Sequence, residues 1–527
     1  MNNKNNFFLK LSVIIFTLNL LFEIKGQSIL LEKNYGGAAS EFAYSIQQTS
    51  DGGYFVVGYT ASSTSGDVSG ANRGSNDGWV VKLDAAGAIT WQKNYGGTAN
   101  DTFYAGQQTS DGGYVVTGYV ASSANGNVSG VNKGSGDVWV VKLDATGNIS
   151  WEKNYGGASV DEGVFIRQTI DGGYIVAGDT MSSVSLDVTG TNKGSQDAWV
   201  LKLDASGNIT WQKNYGGSGV DVLQSLQETT DGGYILAGNT TSSASGDVSG
   251  ANKGSNDVWV VKLDASGNIT WQKNYGGSGA DTCKSIQKTS DGGYVLVATT
   301  ASSANGEVTG ISKGGNDVWV VKLDATGAIS WQKNYGGSGA DTGASIQQHT
   351  DGGYILVAGT ASSASGDMSG ISKGGNDVWA IKTDSTGTIS WQKNFGGSGS
   401  DVAQSMQITS DGNYIVSGYT SSSVSGDVSG INKGLNDFWV LKFGNPSLGT
   451  ENVKVSNINM SPNPAKDFVT ISNLTKGADV ALFDMTGKLL YQTKSFGTTL
   501  TINTSSYKNG MYLVKVEGQA IKLLIAK

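Results

Sequence analysis

The chain has 527 residues, 78 of them Gly and only 3 Pro, and a formal net charge of −8. That length allows several domains, and an acidic balance spread without runs argues against a nucleic-acid partner or an anionic membrane surface. A single Cys and a single His exclude an internal disulfide and any zinc site built on a His pair, and would hang a Ser-His-Asp scheme on His349 alone.

Residues 1–26 read as a secretory signal peptide. Lys4 and Lys10 give the basic start, the apolar run 11–22 is shorter than the ~20 residues a bilayer span needs, and Gly26 offers a small residue for cleavage before Gln27. No later segment is apolar enough to span a membrane. The first predicted strand, 29–35, is followed by Gly36-Gly37.

From there the chain is a tandem array. Trp79, Trp139, Trp199, Trp259, Trp319, Trp379 and Trp439 fall sixty residues apart, and an Asp-Gly pair beginning at Asp51 recurs with the same step. In the unit read from Asp221, period-two alternation and Trp, Val, Ile and Tyr enrichment predict four strands: 224–229, 234–240, 258–263 and 269–275. The last would place Ile269, Trp271, Lys273 and Tyr275 on one face. The Asp231-Gly232-Gly233 turn suits positive φ, and Asn413, replacing the second Gly in the last unit, is read as tolerated for the same reason. His349 takes a slot held elsewhere by Thr49, Thr109, Thr169, Thr229, Thr289 and Thr409, which reads as a surface substitution. Cys283 takes one held by Phe103, Gly163, Leu223, Gly343 and Ala403, which reads as packing.

The seventh unit ends after its third strand, 438–443, while 29–35 aligns with the fourth strand of a unit: Leu31-Glu32-Lys33-Asn34-Tyr35 against Trp91-Gln92-Lys93-Asn94-Tyr95. Filling the vacancy with the spare predicts an all-β, seven-bladed β-propeller over 27–443, closed by its N-terminal strand and free of open edges. Third strands then hold seven Trp and fourth strands six (91, 151, 211, 271, 331, 391), Leu31 taking the last place. At 150–250 Å² each, such anchors are worth roughly 4–6 kcal/mol gross apiece.

The topology puts two loops per unit on one face. One carries Tyr-Gly-Gly and a following acid (Glu41, Asp101, Asp161, Asp221, Asp281, Asp341, Asp401); the other is the long stretch 241–256. In it Asp247, Asn252, Asn256 and Asp257 are hard oxygen donors of the kind Ca²⁺ takes, though not at EF-hand spacing, and Asn127, Glu307, Ser312, Ser372, Gly136 and Gln196 replace members in other units. The competing reading is that they cap turns. No paired-carboxylate, nucleophile-base or phosphate-loop constellation stands out, and the Gly-Gly pairs lack a dinucleotide context. An acid-base pair across the channel stays open, although the first strands offer mainly Ser, Gln and Thr there.

Three resemblances follow. The turn Leu143-Asp144-Ala145-Thr146-Gly147-Asn148-Ile149-Ser150-Trp151 is similar to the tryptophan-docking repeat of quinoprotein-type propellers, which implies that each such Trp packs on the next blade; no quinone site matches. The whole unit resembles the sixty-residue propeller repeats of secreted Bacteroidetes proteins. All three Pro (446, 462, 464) lie outside the array and mark a linker over 444–457. Residues 458–527 then resemble the type A C-terminal sorting domain of the type IX secretion system, through Ser461-Pro462-Asn463-Pro464, Asp467, Leu482-Phe483-Asp484, Gly487-Lys488, Asn509-Gly510-Met511-Tyr512-Leu513-Val514, Lys522 and Lys527. That resemblance implies a small β-sandwich recognised by the type IX machinery, usually cleaved, with the body released or fixed to the outer cell surface. The functional expectation is a non-enzymatic binding or adhesion scaffold, multivalent toward a polysaccharide or surface protein. A polysaccharide-acting enzyme with a channel site and a structural spacer stay open beside it.

Overall fold

The computed structural model describes residues 27–444, 458–474, 476–484, 488–516 and 519–527. The expected signal peptide and residues 445–457 of the expected linker lie outside these. The described residues are all-β, with no α-helix among them, and divide into two compact units, 1–445 and 446–527.

In the first unit, β1 (Ser28–Tyr35) precedes β2 (Glu41–Gln48), β3 (Tyr54–Thr60), β4 (Asp77–Leu83) and β5 (Ile89–Tyr95). Strands β2 to β5 form one antiparallel four-stranded sheet in chain order, and the same pattern recurs as β-propeller-type repeats. In the last of these sheets, strands Asp401–Ile408, Tyr414–Thr420 and Asp437–Gly444 are joined by β1 as the fourth. The pairing is antiparallel, with Ile29 opposite Phe443, Asn34 opposite Trp439 and Tyr35 opposite Phe438. Tyr54 and Trp79 of the first sheet share a buried cluster with Ile415, Phe438 and Val440 of the last.

Two details differ from the sequence expectation. The first strand of the fourth unit begins at Asp221 rather than 224, and its register shifts between Leu223 and Ser225. A bulge breaks the alternation that marks a strand in sequence, so the buried opening residues read as loop. At the Asp-Gly-Gly turn, only the first Gly needs positive φ (82° at Gly52). The second is kept small by a close approach: a Cβ on Gly53 would sit 2.1 Å from the Leu83 carbonyl. Asn413 is therefore not a positive-φ substitute; it lies against Gly444, whose own missing side chain leaves the room.

Packing separates the Trp into two sets. The third-strand Trp are at most 1% exposed, and the Trp259 indole N–H donates to Gln272 Oε1 at 2.8 Å. The fourth-strand Trp are only half-buried, so thirteen equal anchors overstates the core. They lie in the seams: Trp211 rests on Gly267 of the next sheet, where a Cβ would meet the ring at 2.9 Å, and Tyr215 donates to the Gly267 carbonyl at 2.6 Å. At the seam between last and first sheets, Leu31 rests on Gly87 and Tyr35 donates to the Gly87 carbonyl at 2.6 Å. The docking resemblance is thus realised as sheet-to-sheet packing.

Six of the third strands also bury a Lys, and the last carries the half-buried Lys442. Lys262 Nζ reaches Asp231 of the Asp-Gly turn and the Leu263 carbonyl, at 2.8 and 2.9 Å. Partial burial pulls the Asp231 carboxyl upward, but hydrogen bonds from Lys262, Thr229 and the Gly233 N–H prevail and hold it at about 2.

The second unit has a three-stranded sheet (Asn459–Ser461, Phe468–Ser472, Thr499–Asn503) and a four-stranded one (Leu489–Lys494, Asp479–Asp484, Gly510–Val516, Gln519–Ile525). Val469, Ile471 and Ile502 from the first share one core with Val480, Leu482, Val514 and Leu523 from the second.

Candidate functional site

The first strands of the seven sheets line one cavity of about 240 Å³. A layer of Gln47, Gln107, Gln227, Gln287, Gln347 and Gln407, with Arg167 in the remaining place, crosses it. These side chains stitch adjacent sheets: Gln47 Oε1 accepts from the Gln108 N–H at 2.7 Å, and Gln407 Oε1 accepts from the Gln48 N–H at 2.6 Å. Arg167 donates to Gln227 at 2.9 Å. No Asp, Glu, His or Cys is among the lining residues, so the cavity itself holds no acid-base pair.

The array breaks its own pattern at one end of this cavity. The second residue of each first strand is Phe42, Thr102, Glu162, Val222, Thr282, Thr342 or Val402; the residue two further on is Tyr44, Tyr104, Val164, Gln224, Lys284, Ala344 or Gln404. Opposite the first set, near the end of each second strand, stand Tyr59, Tyr119, Asp179, Asn239, Thr299, Gly359 and Tyr419. The last, first and second sheets thus build an aromatic mouth. Phe42 lies 5.2 Å from Tyr59 and 4.4 Å from Tyr419 between ring centroids, and Tyr44 meets Tyr104 edge-on at 5.2 Å. The third sheet adds Glu162 directly across from Asp179.

These two acids are desolvated. Asp179 is 5% exposed; burial, and secondarily the Glu162 charge, push its carboxyl up to about 7 against a hydrogen bond from Gln196. Burial also raises Glu162, whose carboxylate has no hydrogen bond or ion pair among the described residues. Thr102 Oγ1 is likewise buried, against the Tyr104 hydroxyl. Sequence reasoning passed over this pair. The available signal was two acids in slots that other units fill with Thr, Val, Phe, Tyr, Asn or Gly; the missing fact was that the two slots face each other.

The calcium candidates hold other partners. Asp247 accepts from Lys193 Nζ of the preceding sheet at 3.0 Å and from the Gly216 N–H at 3.1 Å. Asp257, fully buried, accepts from the Lys253 N–H and Asn274 Nδ2, each at 3.1 Å, in the seam toward the following sheet, and burial raises its carboxyl. Asn252 Oδ1 accepts from the Gly254 N–H at 2.9 Å, and Asn256 contributes its carbonyl to the Asp281 N–H at 2.8 Å. Asp247 and Asn252 brace turns, and the ammonium of Lys193 stands where a cation for Asp247 would. Among the described residues no group of three or more His, Cys, Asp or Glu side chains could hold a metal ion.

The acids after Tyr-Gly-Gly are not loop residues offered to solvent. Asp221 is fully buried and accepts from the Gly217 N–H at 2.6 Å and Ser242 Oγ at 2.7 Å. Cys283 is buried, its thiol pushed up to about 12 by desolvation, and His349 sits 3.2 Å from Asp351 within its turn. The long loops do expose aliphatic tips: Val131, Ile311, Ile371, Ile431 and Leu435 are each more than two-thirds exposed.

In the second unit, Asn463, set between Pro462 and Pro464, clamps the final strand: its Nδ2 donates to the Lys522 carbonyl and its Oδ1 accepts from the Leu524 N–H, both at 2.9 Å. Tyr512, buried in the strand that starts at Gly510, donates to the Lys508 carbonyl at 2.8 Å. The Lys527 N–H donates to Asn509 Oδ1 at 3.0 Å. The motif residues therefore hold the edges of this fold together, leaving the Lys522 and Lys527 side chains exposed.

Residues 459–526 match the family model described as secretion system C-terminal sorting domain. No curated protein matches the chain. Among solved structures, the chain is similar to PorZ, a surface component of the type-IX secretion system of Porphyromonas gingivalis (14% identity, TM-score 0.30, 94% of this chain and 75% of that one). It is also similar to the Neurospora crassa Pan2 WD40 domain (11%, 0.40, 77% and 89%) and to a Dyadobacter fermentans protein of unknown function (11%, 0.39, 80% and 99%). The chain carries a type IX sorting domain, which marks it as secreted or cell-surface cargo of that machinery. No helix among the described residues is long and apolar enough to cross a membrane.

Proposed function

We propose that the first unit is a closed seven-bladed β-propeller, delivered by a C-terminal β-sandwich, and that it works outside the cell as a non-enzymatic binding module. Ring closure is supported by β1 in the last sheet and by the Gln48 backbone N–H of the first sheet donating to Gln407 of the last. Binding is supported above all by one observation: units that otherwise repeat closely diverge at the mouth into half-exposed Phe42, Tyr44, Tyr59, Tyr104, Tyr119 and Tyr419. Flat rings beside a polar cavity suit a sugar ring or an extended side chain. The exposed aliphatic tips of the long loops add a rim for a surface partner. The acids that open the first strands, such as Asp221, are buried and hold the preceding loop through hydrogen bonds from Gly217 N–H and Ser242 Oγ.

The ligand is read as a polysaccharide or surface protein. A glycan array run with a product-release assay tests this on the full chain: binding without products is expected, lost in Tyr44→Ala. Release of product that depends on Glu162 or Asp179 would instead make the mouth a hydrolytic site.

A further inference from the structure

The mouth is lopsided. Rings crowd one side, and the adjoining third sheet presents two carboxyl groups with no basic partner among the described residues. Two other sets of acids in the repeat meet a base: each Asp-Gly turn has its Lys, and the long-loop Asp or Glu of most seams meets the Lys of the preceding sheet. Glu162 and Asp179, which border the channel mouth, have no such base. The field of both reaches Tyr104, and that of Glu162 reaches Tyr44 and Tyr119 as well, so rings and carboxyl groups border one space. The buried Thr102 Oγ1, against the Tyr104 hydroxyl, lies at the same level, in the slot of the second sheet that Glu162 fills in the third.

We propose that this corner of the mouth, formed by Tyr44, Tyr104, Tyr119, Thr102, Glu162 and Asp179, is a binding site for an organic ammonium group. A cation set against ring faces is attracted by their quadrupole, and more strongly when desolvated. The two carboxylates supply opposite charge at short range in a water-poor setting, and Thr102 supplies an acceptor for an ammonium N–H. A neutral sugar or an anion would leave both acids uncompensated, which is the costly arrangement. The ammonium chemistry fits an amino sugar of a polysaccharide or a lysine side chain of a surface protein. This assignment rests on the reading of the mouth as the binding site and narrows its ligand.

The test titrates the full chain at pH 8 and constant ionic strength with n-butylammonium, glucosamine and Nα-acetyl-lysine amide, with N-acetylglucosamine as the neutral control, by calorimetry and ligand-observed NMR. The ammonium probes are expected to bind at least tenfold more tightly than the control. Glu162→Gln and Asp179→Asn are expected to weaken them at least tenfold, while Asp479→Asn in the second unit changes nothing. The tighter of glucosamine and the lysine amide identifies the source as glycan or protein. No ammonium binding, or binding indifferent to Glu162→Gln, overturns the proposal; Glu162 is partly exposed, so that variant is readable even if Asp179→Asn fails to fold. Neutral glycan binding lost in Tyr44→Ala but kept in Glu162→Gln would overturn this inference while leaving the binding module standing.

Discussion

The outer strands of the sheets and the mouth of the channel are cut from the same sixty-residue unit, yet they behave as different materials. In the outer strands, Trp259, Lys262, Tyr275 and their counterparts make nearly the same contacts: indole to the fourth strand and ammonium to the turn acid in every sheet, phenol to the next sheet's glycine in all but the sixth, where Phe395 has no hydroxyl. At the mouth, the equivalent positions hold Phe, Thr, Glu and Val, or Tyr, Asp, Asn, Thr and Gly. The seams must match because each sheet packs on two neighbours, so a change in one unit strains another. A mouth residue answers to its cross-strand partner and to the cavity, and is free to differ. In this array, recurrence marks what holds the ring and divergence marks what it has been adapted to do.

The strongest way to break that comparison is to remove the one outer strand that comes from elsewhere in the chain. Deleting residues 27–35 would take the Glu32 acceptor from Trp439, lift Leu31 off Gly87 and leave Asp437–Gly444 as a bare edge. The expected outcome is loss of the cooperative melt and association on gel filtration. A monodisperse variant with unchanged melting would sink the ring and the shared mouth with it.

Next in size is Trp259→Ala, which empties a fully buried site and is expected to cost about 3–5 kcal/mol in urea unfolding. Tyr104→Ala, beside the cavity, is expected to cost about 1 kcal/mol while abolishing mouth binding. If the order reverses, the mouth is the structural region and the contrast fails.

The two regions should also answer to pH with opposite sign. Asp231 sits at about 2 in the folded protein, below its ordinary value of about 4. Its contribution is present above that ordinary value and fades as pH falls toward 2. Asp179 is raised to about 7. The folded protein then holds a proton that the unfolded chain has released between about pH 4 and 7, so stability falls as pH rises through that window and levels off above it. Asp179→Asn is expected to be stabilising at pH 8 and neutral near pH 4. Asp231→Asn is expected to be destabilising at pH 7 and neutral below pH 2. Chemical denaturation of both variants across pH 2 to 8 reads the crossing slopes.

This contrast explains what the sequence disclosed. Second and third strands were legible as short apolar runs bounded by turns, 234–240 and 258–263, the fourth by the alternation through 269–275, and the pairing of 29–35 with 438–443 followed from counting strands. The opening of the first strand was not, because the bulge between Leu223 and Ser225 disrupts the alternation. The acids at strand entry looked like loop ligands because recurrence says nothing about burial; Asp221 and Asp257 point into seams. Glu162 and Asp179 lie seventeen positions apart in a unit where either alone looks like drift. Only the antiparallel register makes them a pair.

The smallest test concerns a place where divergence has no evident use. Leu186 stands where other units carry Gly66, Gly126, Gly246, Gly306, Gly366 and Gly426, and it keeps their left-handed backbone, with φ 53°. A side chain in that conformation costs roughly 1–2 kcal/mol, whereas Gly adds back about 0.5–1 kcal/mol of unfolded-chain entropy. Leu186 is 68% exposed, so little packing offsets the strain. Leu186→Gly is therefore expected to stabilise the protein by about 0.5 kcal/mol, seen as a small rise in denaturation midpoint. A loss of stability would mean that the Leu186 side chain is held by contacts worth more than its backbone strain. The exposed aliphatic tips would then belong with the structural set, and divergence alone would no longer separate the two regions.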